Sequence, residues 1–303
     1  MKKADIIISL TSYPARISTV HLVIESLLAQ SYKANKIILW LSPEQFPNKE
    51  VDLPKQLLNL TSKGLTIDWC KDIKSYKKLI PTLEKYPNDI IVTVDDDNIY
   101  PERCLEKLYK GYLKYPKCIQ AHRVTKFYYD GEFKVIAGGK DYYKKPSYLN
   151  KLVGICGVLY PPNCFYKDIL NDKLFTKLAP TNDDQWFWLQ AALKGTKVRV
   201  VDEPEIKANC IDGTQAVGLY NINDRGEKLF WKDFNRLLEY YPKIKKLLMF
   251  ESKKNKLKEE IQNLYHKIPS VIKLILSVKN SKDKKHKVVT ILGIKFKFKQ
   301  NKS

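Results

Sequence analysis

Three consecutive carboxylates, Asp95, Asp96 and Asp97, directly follow a short apolar run at residues 89–94. Apolar runs of this length, rich in β-branched residues, are typical of strands that are buried on both faces of a parallel sheet. In extended backbone Asp95 and Asp97 point to the same side, and hard oxygen ligands suit Mg²⁺ or Mn²⁺. Adjacent acids repel each other unless a cation or hydrogen-bond donors compensate them. The triplet therefore predicts a divalent cation site, with a solvated acidic turn as the structural alternative.

Alternating strand and helix patterns surround this triplet. The strand segments are short apolar runs, and the helical segments carry apolar residues three and four positions apart. This alternation predicts an α/β fold with a doubly wound, mainly parallel sheet, in which ligands bind at the carboxyl ends of the strands. A hairpin is predicted around Asp130-Gly131. The predicted strands are 5–11, 36–41, 65–69, 89–94, 118–122, 197–201 and 294–299, and the predicted helices are 18–30, 53–61, 72–86, 101–115, 183–193 and 226–241.

The net charge of +21 on this chain of 303 residues is concentrated near the C-terminus. Residues 251–303 hold 15 Lys and Arg against 4 Asp and Glu, interspersed with Leu, Ile and Phe. We therefore divide the chain into a domain of residues 1–250 and a basic amphipathic, helical extension of residues 251–303. Such an extension favours an anionic membrane surface. A helix packed on the domain, followed by a solvated charged link, is the alternative.

Composition also excludes several classes of protein. With 44% apolar residues the chain can form a packed core, which excludes wholesale disorder. The six cysteines are scattered without a C-x-x-C pair, which indicates reduced thiols in a cytosolic protein. The sequence contains no run of 18 apolar residues, so no transmembrane helix is expected.

Several motifs resemble one enzyme family. Asp95-x-Asp97 after an apolar strand resembles the DxD motif of GT-A fold glycosyltransferases that use nucleotide sugars. Segments 6–17 (IIISLTSYPARI), 76–81 (YKKLIP) and 182–187 (NDDQWF) resemble bacterial glycosyltransferases related to family 2, often found with capsule or lipopolysaccharide genes. The resemblance covers roughly residues 5–225 and implies a GT-A (Rossmann-like) fold. Residues 1–250 would then form the catalytic domain that binds the nucleotide sugar and the acceptor.

The resemblance also implies roles for the first loop and the triplet. It implies a nucleotide diphosphate sugar as donor and Mn²⁺ or Mg²⁺ as cofactor, with Asp97 as direct metal ligand and Asp95 on the metal or the ribose. Because alternation turns Asp96 away from its neighbours, we expect Asp96 to be structural as well. The implied nucleotide-sugar-binding residues are Thr11, Ser12, Arg16, Lys77, Lys78, Asp95 and Asp96, of which the arginine suits bidentate phosphate contact. For Lys77 and Lys78 the alternative is a solvated helix face.

Asp184, and after it Asp183, match by this resemblance the position of the catalytic base in inverting relatives. An inverting transfer needs one carboxylate that deprotonates the acceptor hydroxyl. Capping of the predicted helix by Asn182 and Asp183 is the alternative, and it is compatible with catalysis. Trp186 and Trp188 offer aromatic faces for sugar stacking, with burial in the core as their alternative.

Other residues depart from the family pattern or leave two interpretations open. Many relatives place a metal-binding histidine after the base, whereas the later histidines here, His266 and His286, lie in the basic extension. His122 either lines the acceptor pocket or is an ordinary polar residue at a strand end. A lid over the diphosphate is expected in the loop that contains Gln215, Asn221, Asn223 and Asp224.

The sequence thus predicts a metal-dependent, inverting glycosyltransferase with a polysaccharide or lipid-linked saccharide acceptor. We expect it in the cytoplasm, peripheral on the inner face of the membrane if the extension binds lipid. A nucleic-acid-binding protein and a metal-dependent nucleotidyltransferase are the alternatives. Against the first, the basic residues form no recognisable nucleic-acid module and the acidic cluster repels phosphate. Against the second, Ser12-Tyr13-Pro14 after the first strand lacks a Gly-rich phosphate-binding pattern.

Overall fold

A computed structural model of the chain describes residues 4–204, 207, 209–214, 223, 229–267, 276–280, 286–291 and 294–299. The chain divides into two compact units, Met1–Glu251 and Ser252–Ser303. The functions assigned above to the two predicted domains stay predictions.

Among its described residues the first unit contains ten strands and seven helices, and it also contains the beginning of an eighth helix. Its strands are β1 Ile6–Thr11, β2 Lys36–Leu41, β3 Leu65–Trp69, β4 Ile90–Thr93, β5 Ile119–Ala121, β6 Val124–Asp130, β7 Glu132–Ile136, β8 Asn150–Leu152, β9 Val158–Tyr160 and β10 Val198–Val200. The helices are α1 Val20–Leu28, α2 Lys55–Leu58, α3 Ile80–Lys85, α4 Cys104–Lys114, α5 Asp172–Leu178, α6 Asp183–Lys194, α7 Leu229–Tyr240 and α8 Pro242–Lys267.

Seven of these strands form one sheet in the order β10-β5-β9-β4-β1-β2-β3. β1 pairs in parallel with both β2 and β4, whereas β9 runs antiparallel to β4 and β5. Because β1 to β4 are parallel, their carboxyl ends lie at one edge of the sheet, where ligands of open α/β sheets bind. The sheet confirms the α/β class with a doubly wound, mainly parallel sheet, and the triplet Asp95–97 follows the fourth strand, as expected.

Apolar residues on both faces of the sheet hold it between helices. Ile8 and Leu10 of β1 pack with α1 on one face, and Ile91 of β4 packs with α6 on the other. This burial on both faces explains why the sequences of the strands are continuous apolar runs. The hairpin predicted at Asp130-Gly131 is confirmed by the pairing of β6 with β7. All six cysteines, each within the described ranges, are thiols, as their spacing indicates.

The helix predicted over 72–86 is interrupted. Residues Lys74–Lys78 form a 3₁₀ turn, and α3 begins only at Ile80, with Pro81 in its first turn. Proline has no amide hydrogen to continue a helix that precedes it, and it is tolerated in a first turn. The turn directs Lys77 and Lys78 into the protein, where they are 2% and 6% exposed. The alternative of a solvated lysine face is therefore wrong.

The basic extension is helical only in part. After α8 the described residues form β11 Leu276–Asn280, β12 His286–Ile291 and β13 Ile294–Lys299, an antiparallel sheet of three strands. The strand predicted over 294–299 is confirmed as the edge strand β13. The period of two in IKFKFK explains β13, because period-two alternation favours extended backbone, and β12 (HKVVTI) ends in an unbroken run of β-branched residues, which favour strands. None of the described helices is long and apolar enough to cross a membrane.

A buried polar contact ties the sheet to α3 and generates a stability prediction. The Thr82 hydroxyl lies 2.6 Å from the Ser9 hydroxyl and accepts a hydrogen bond of 2.7 Å from the Trp40 indole nitrogen. Thr82→Val, which is nearly isosteric, leaves these buried groups without their partner. We expect the free energy of unfolding in urea to fall by about 1–3 kcal/mol. Thr82→Ser keeps the hydroxyl and serves as control; equal stability of the Val variant and the natural protein would contradict the importance of this contact.

Candidate active site

A pocket of about 1080 Å³ opens at the carboxyl ends of β1 and β4. The structure brings every residue of the predicted donor, metal and base sets to the lining of this single pocket. These lining residues are Thr11, Ser12, Arg16, Lys77, Lys78, Asp95, Asp96, Asp97, Asp183 and Asp184.

Arg16, in the loop after β1, lies against the acidic triplet. Its Nη1 atom is 2.8 Å from Asp96 Oδ1 and 3.0 Å from Asp97 Oδ2, and its Nη2 donates to the Thr214 carbonyl at 3.0 Å. The arginine is only 8% exposed. It therefore compensates the charge of the triplet, and it lines the pocket.

Residues 96 and 97 lie in a turn and not in extended backbone, and both carboxylates contact Arg16 Nη1, so the expectation that alternation turns Asp96 away from its neighbours is wrong. Asp96 nevertheless has a structural role, although it also lines the pocket. It accepts a hydrogen bond of 2.6 Å from the Ser12 hydroxyl in addition to that from Arg16, and it is 6% exposed. Burial raises the pKa of Asp96 above its usual range, while Arg16 and Ser12 oppose this shift. Asp96 thus fastens the loop after β1 to the end of β4. The Thr11 hydroxyl donates to the Trp40 carbonyl at 2.8 Å, which ties the same loop to β2.

Asp95 and Asp97 offer carboxylate oxygens at the pocket wall. The Asp95 side chain is 27% exposed, and its Oδ1 lies 2.8 Å from Lys78 Nζ; Asp97 shares one oxygen with Arg16. Among the described residues no group of three or more His, Cys, Asp or Glu side chains is arranged to hold a metal ion. The donor set fits Mg²⁺ or Mn²⁺ in the form in which one or two carboxylates bind the ion and substrate phosphate and water complete its shell. It does not form a complete cage of protein ligands.

Lys78 connects the triplet to the predicted base. Its Nζ atom lies 2.8 Å from Asp95 Oδ1, 3.0 Å from Asp183 Oδ2 and 3.8 Å from Asp184 Oδ1. Burial opposes the charge on Lys78, but Asp183, Asp95 and Asp184 outweigh it and hold the pKa of the lysine well above its usual value. Lys77 has different partners, because its Nζ lies 2.8 Å from Asp72 Oδ1 and 2.9 Å from Gln45 Oε1.

The two candidate bases at the start of α6 differ in their access to the pocket. The side chain of Asp184 is 22% exposed, whereas that of Asp183 is 8% exposed. Burial raises the pKa of Asp183 above its usual value, against the effect of Lys78 and with a contribution from Asp184. Asp184 accepts a hydrogen bond of 2.9 Å from the Gly154 amide through Oδ2, which leaves Oδ1 without a hydrogen-bond partner. Asp184 is therefore the more accessible of the two carboxylates.

The expected cap of α6 by Asn182 is wrong for its side chain. The Asn182 amide donates to Asp233 on α7 instead, and no side-chain hydrogen bond caps the helix. Trp186 and Trp188 are 0% and 1% exposed. They belong to the core, so the alternative of sugar stacking is excluded for both.

Sequence reasoning missed Gly154, which comes closest to the polar cluster. A Cβ atom at this position would lie 2.9 Å from Lys78 Nζ, 3.1 Å from Asp184 Oδ1 and 3.4 Å from Asp95 Oδ1. A side chain larger than hydrogen would displace these groups. The small-residue-rich stretch before β9 was the available signal, but the pattern alone does not say what it approaches.

Two aromatic residues of the pocket were also missed. Phe230 and Trp231 at the start of α7 line it, and Trp231 is 37% exposed. Lys151 Nζ lies 5.7 Å from the centre of the Phe230 ring. These aromatic faces, and not Trp186 or Trp188, are the ones available to a bound sugar.

Of the remaining predicted residues, Asn223 lines the pocket, and the others lie outside the pocket or outside the described residues. His122 is completely buried, with Nε2 3.0 Å from the Cys104 carbonyl, which favours its structural interpretation. Asn223 lines the pocket and forms hydrogen bonds with Thr181. Gln215, Asn221 and Asp224 of the expected lid lie outside the described residues. His266 and His286 belong to the second unit.

No protein-family model matches the sequence, and no curated protein matches it. Similar solved structures include Staphylococcus aureus TarS 1–349, at 14% identity and a TM-score of 0.45 over 68% of this chain and 59% of that chain. The complex of the same TarS fragment with UDP-GlcNAc gives 14% identity and a TM-score of 0.44 over 68% and 57%. A 4-diphosphocytidyl-2C-methyl-D-erythritol synthase gives 10% identity and a TM-score of 0.44 over 71% and 96%.

The chain thus spans less than two thirds of the length of the TarS structures. At TM-scores below 0.5, these similarities carry no inference about the activity of this chain.

Proposed function

We propose that the chain is a glycosyltransferase that moves a sugar from a nucleotide diphosphate sugar to a saccharide or lipid-linked saccharide acceptor, with inversion at the anomeric carbon. The observation that carries this proposal is the convergence of two carboxylate groups on one pocket. Asp95 of the triplet and the pair Asp183-Asp184 at the start of α6 meet around Lys78, within 2.8–3.8 Å of its ammonium. A donor-binding group and a base side by side are what a single displacement requires.

In the proposed reaction the acceptor hydroxyl oxygen attacks the anomeric carbon. The new carbon–oxygen bond forms as the bond from that carbon to the diphosphate breaks, and the hydroxyl proton passes to Asp184. The nucleoside diphosphate departs with the bonding electrons. Asp184 suits the role of base because its side chain is 22% exposed, against 8% for Asp183, and because the Gly154 amide holds it at 2.9 Å.

The other pocket residues would bind and orient the donor. Asp97 and Asp95 would hold Mn²⁺ or Mg²⁺, which when bound supplies Lewis-acid stabilisation of the leaving diphosphate. Arg16 faces the same oxygens and suits phosphate contact. Trp231 and Phe230 supply the apolar faces on which a sugar ring stacks.

The first test is a binding and turnover screen of nucleotide sugars with Mn²⁺. We expect one nucleotide sugar to raise the melting temperature only when Mn²⁺ is present, and to release nucleoside diphosphate when acceptor is added. Asp97→Ala should abolish the metal-dependent part of the shift. Unchanged metal-dependent nucleotide binding in Asp97→Ala would refute the metal role of the triplet. Release of pyrophosphate from a nucleoside triphosphate would instead identify a nucleotidyltransferase.

The second test addresses the base. Asp184→Asn is nearly isosteric but cannot accept the acceptor proton, so we expect kcat to fall roughly 10²–10⁴-fold with little change in donor KM. The measurement is steady-state kinetics with the donor identified in the screen. Glu84→Gln removes one exposed carboxylate from the same unit and serves as the control for charge. A fall in kcat for Asp183→Asn alone, with normal kcat in Asp184→Asn, would transfer the role to Asp183.

The third test addresses Lys78 as the residue that positions the base. Lys78→Met leaves three neighbouring carboxylates without their common cation, so we expect it to lower the free energy of unfolding by about 3–5 kcal/mol and to lower kcat. Asp183→Asn in the same chain removes one of the repelling charges and should recover part of the stability but not of kcat. A double-mutant cycle in urea measures this coupling. Strict additivity of the two substitutions would contradict the ion-pair network.

A further inference from the structure

Three apolar side chains lie exposed along one face of α8 in the second unit. Leu257, Ile261 and Leu264 are 56%, 56% and 63% exposed. Their spacings of four and three residues place them on the same side of a helix, and we call these three residues the α8 stripe. Single exposed apolar residues need no explanation, but a row of them along one helix face indicates a surface that is covered by a partner.

Exposed lysines surround the α8 stripe. Successive residues of an α-helix are about 100° apart. Lys253 and Lys254 therefore border Leu257, one on each side, and Lys256 and Lys258 lie further around the helix. Glu260 borders the stripe, and Glu259 lies on the opposite face. The four exposed lysines are Lys253, Lys254, Lys256 and Lys258.

The charge of this part of the chain selects the partner. Residues 251–303 carry 15 Lys and Arg against 4 Asp and Glu. A second copy of the chain would bring the same positive charge to the stripe and be repelled by it. A nucleic acid would match the charge but offers no apolar surface to a row of Leu and Ile side chains. An anionic lipid bilayer complements both features, because acyl chains accept the apolar face and headgroups attract the lysines.

We propose that α8 docks the chain on an anionic membrane surface, with the α8 stripe at the boundary between headgroups and acyl chains. The helix then lies in the plane of the membrane, and Lys253 and Lys254 reach phosphate groups on either side of it. This inference is independent of the proposed activity, because it uses no residue of the pocket.

Co-sedimentation of the full-length chain with vesicles tests the proposal. We expect binding to vesicles of phosphatidylcholine that contain about 30 mol % phosphatidylglycerol, and little binding to phosphatidylcholine alone. The triple variant Leu257→Ser, Ile261→Ser, Leu264→Ser should reduce retention by roughly tenfold or more at fixed lipid. The quadruple variant with Lys253, Lys254, Lys256 and Lys258 changed to Gln should reduce it comparably at low salt.

Two matched control variants distinguish the loss of the α8 stripe and its lysines from substitution elsewhere on α8 and from loss of positive charge elsewhere in the chain. Gln262→Ser with Asn263→Ser changes two exposed polar residues on the other side of the same helix and should leave vesicle binding unchanged. Lys55, Lys63, Lys173 and Lys177 are exposed lysines of the first unit, and their replacement by Gln removes the same charge elsewhere. Circular dichroism and melting temperature show that each variant is folded, which is expected because all substituted side chains are exposed.

Three outcomes would overturn the proposal. Equal vesicle binding by the Ser variant and the natural chain would show that the stripe does not enter the bilayer. Equal loss of binding in the two quadruple Lys variants would indicate adsorption by net charge alone. A dimer in light scattering that the Ser triple variant converts to a monomer, together with unchanged vesicle binding, would assign the stripe to contact between copies.

Discussion

The ammonium group of Lys78 lies among carboxylates that come from two distant parts of the chain. Asp95 follows the central strand β4, and Asp183 and Asp184 begin α6, yet all three approach this one nitrogen. Carboxylates at such distances repel one another strongly where water is scarce. Lys78 is itself 6% exposed, so neither the cation nor its partners could be buried here alone. The relative position of the triplet and α6 therefore depends on this interaction.

The fold supplies the geometry that the interaction needs. The 3₁₀ turn ends at Lys78, before α3, which has Pro81 in its first turn, and the 3₁₀ turn directs Lys78 inward. Gly154 lets the backbone before β9 approach the cluster, and its amide donates to Asp184. On the other side of the triplet, Arg16 and Ser12 hold Asp96. The site is thus fixed from the loop after β1, the turn before α3, the segment before β9 and the start of α6.

The sequence permitted most of the fold to be predicted, because the fold depends on local patterns. The membership of the pocket was predicted from the resemblance of segments 6–17, 76–81 and 182–187 to known enzymes, and only Asp95–97 followed from the pattern itself. Strand periodicity placed Asp95–97 at the carboxyl end of the fourth strand, and parallel topology then implies that other strand-end residues lie nearby. The pairing of side chains could not be predicted, since it depends on directions in space. Nothing in the sequence of residues 72–86 shows that Lys78 turns inward. Likewise, the local sequence does not show that Trp186 and Trp188 face the core or that Trp231 lies at the pocket. Gly154 and the antiparallel β9 were missed for the same reason, because short segments carry little periodicity.

Charge within the pocket sets a condition on any anionic substrate. Five carboxylates, those of Asp95–97 and Asp183–184, form ion pairs here with two cations, Arg16 and Lys78. Full ionisation thus leaves three negative charges that these two cations do not compensate. Lys74, Lys77, Arg123 and Lys151 also line the pocket, so a diphosphate is repelled only where it lies directly beside these carboxylates. Burial raises the pKa of Asp96 and of Asp183, which lessens the repulsion at lower pH, and a divalent cation lessens it directly. Since the protein alone offers no complete cage among its described residues, a cation bound under the proposed function would gain ligands from the phosphates, and the phosphates would gain a counter-charge from the cation. Under that proposal metal and nucleotide sugar would bind cooperatively, each more tightly in the presence of the other.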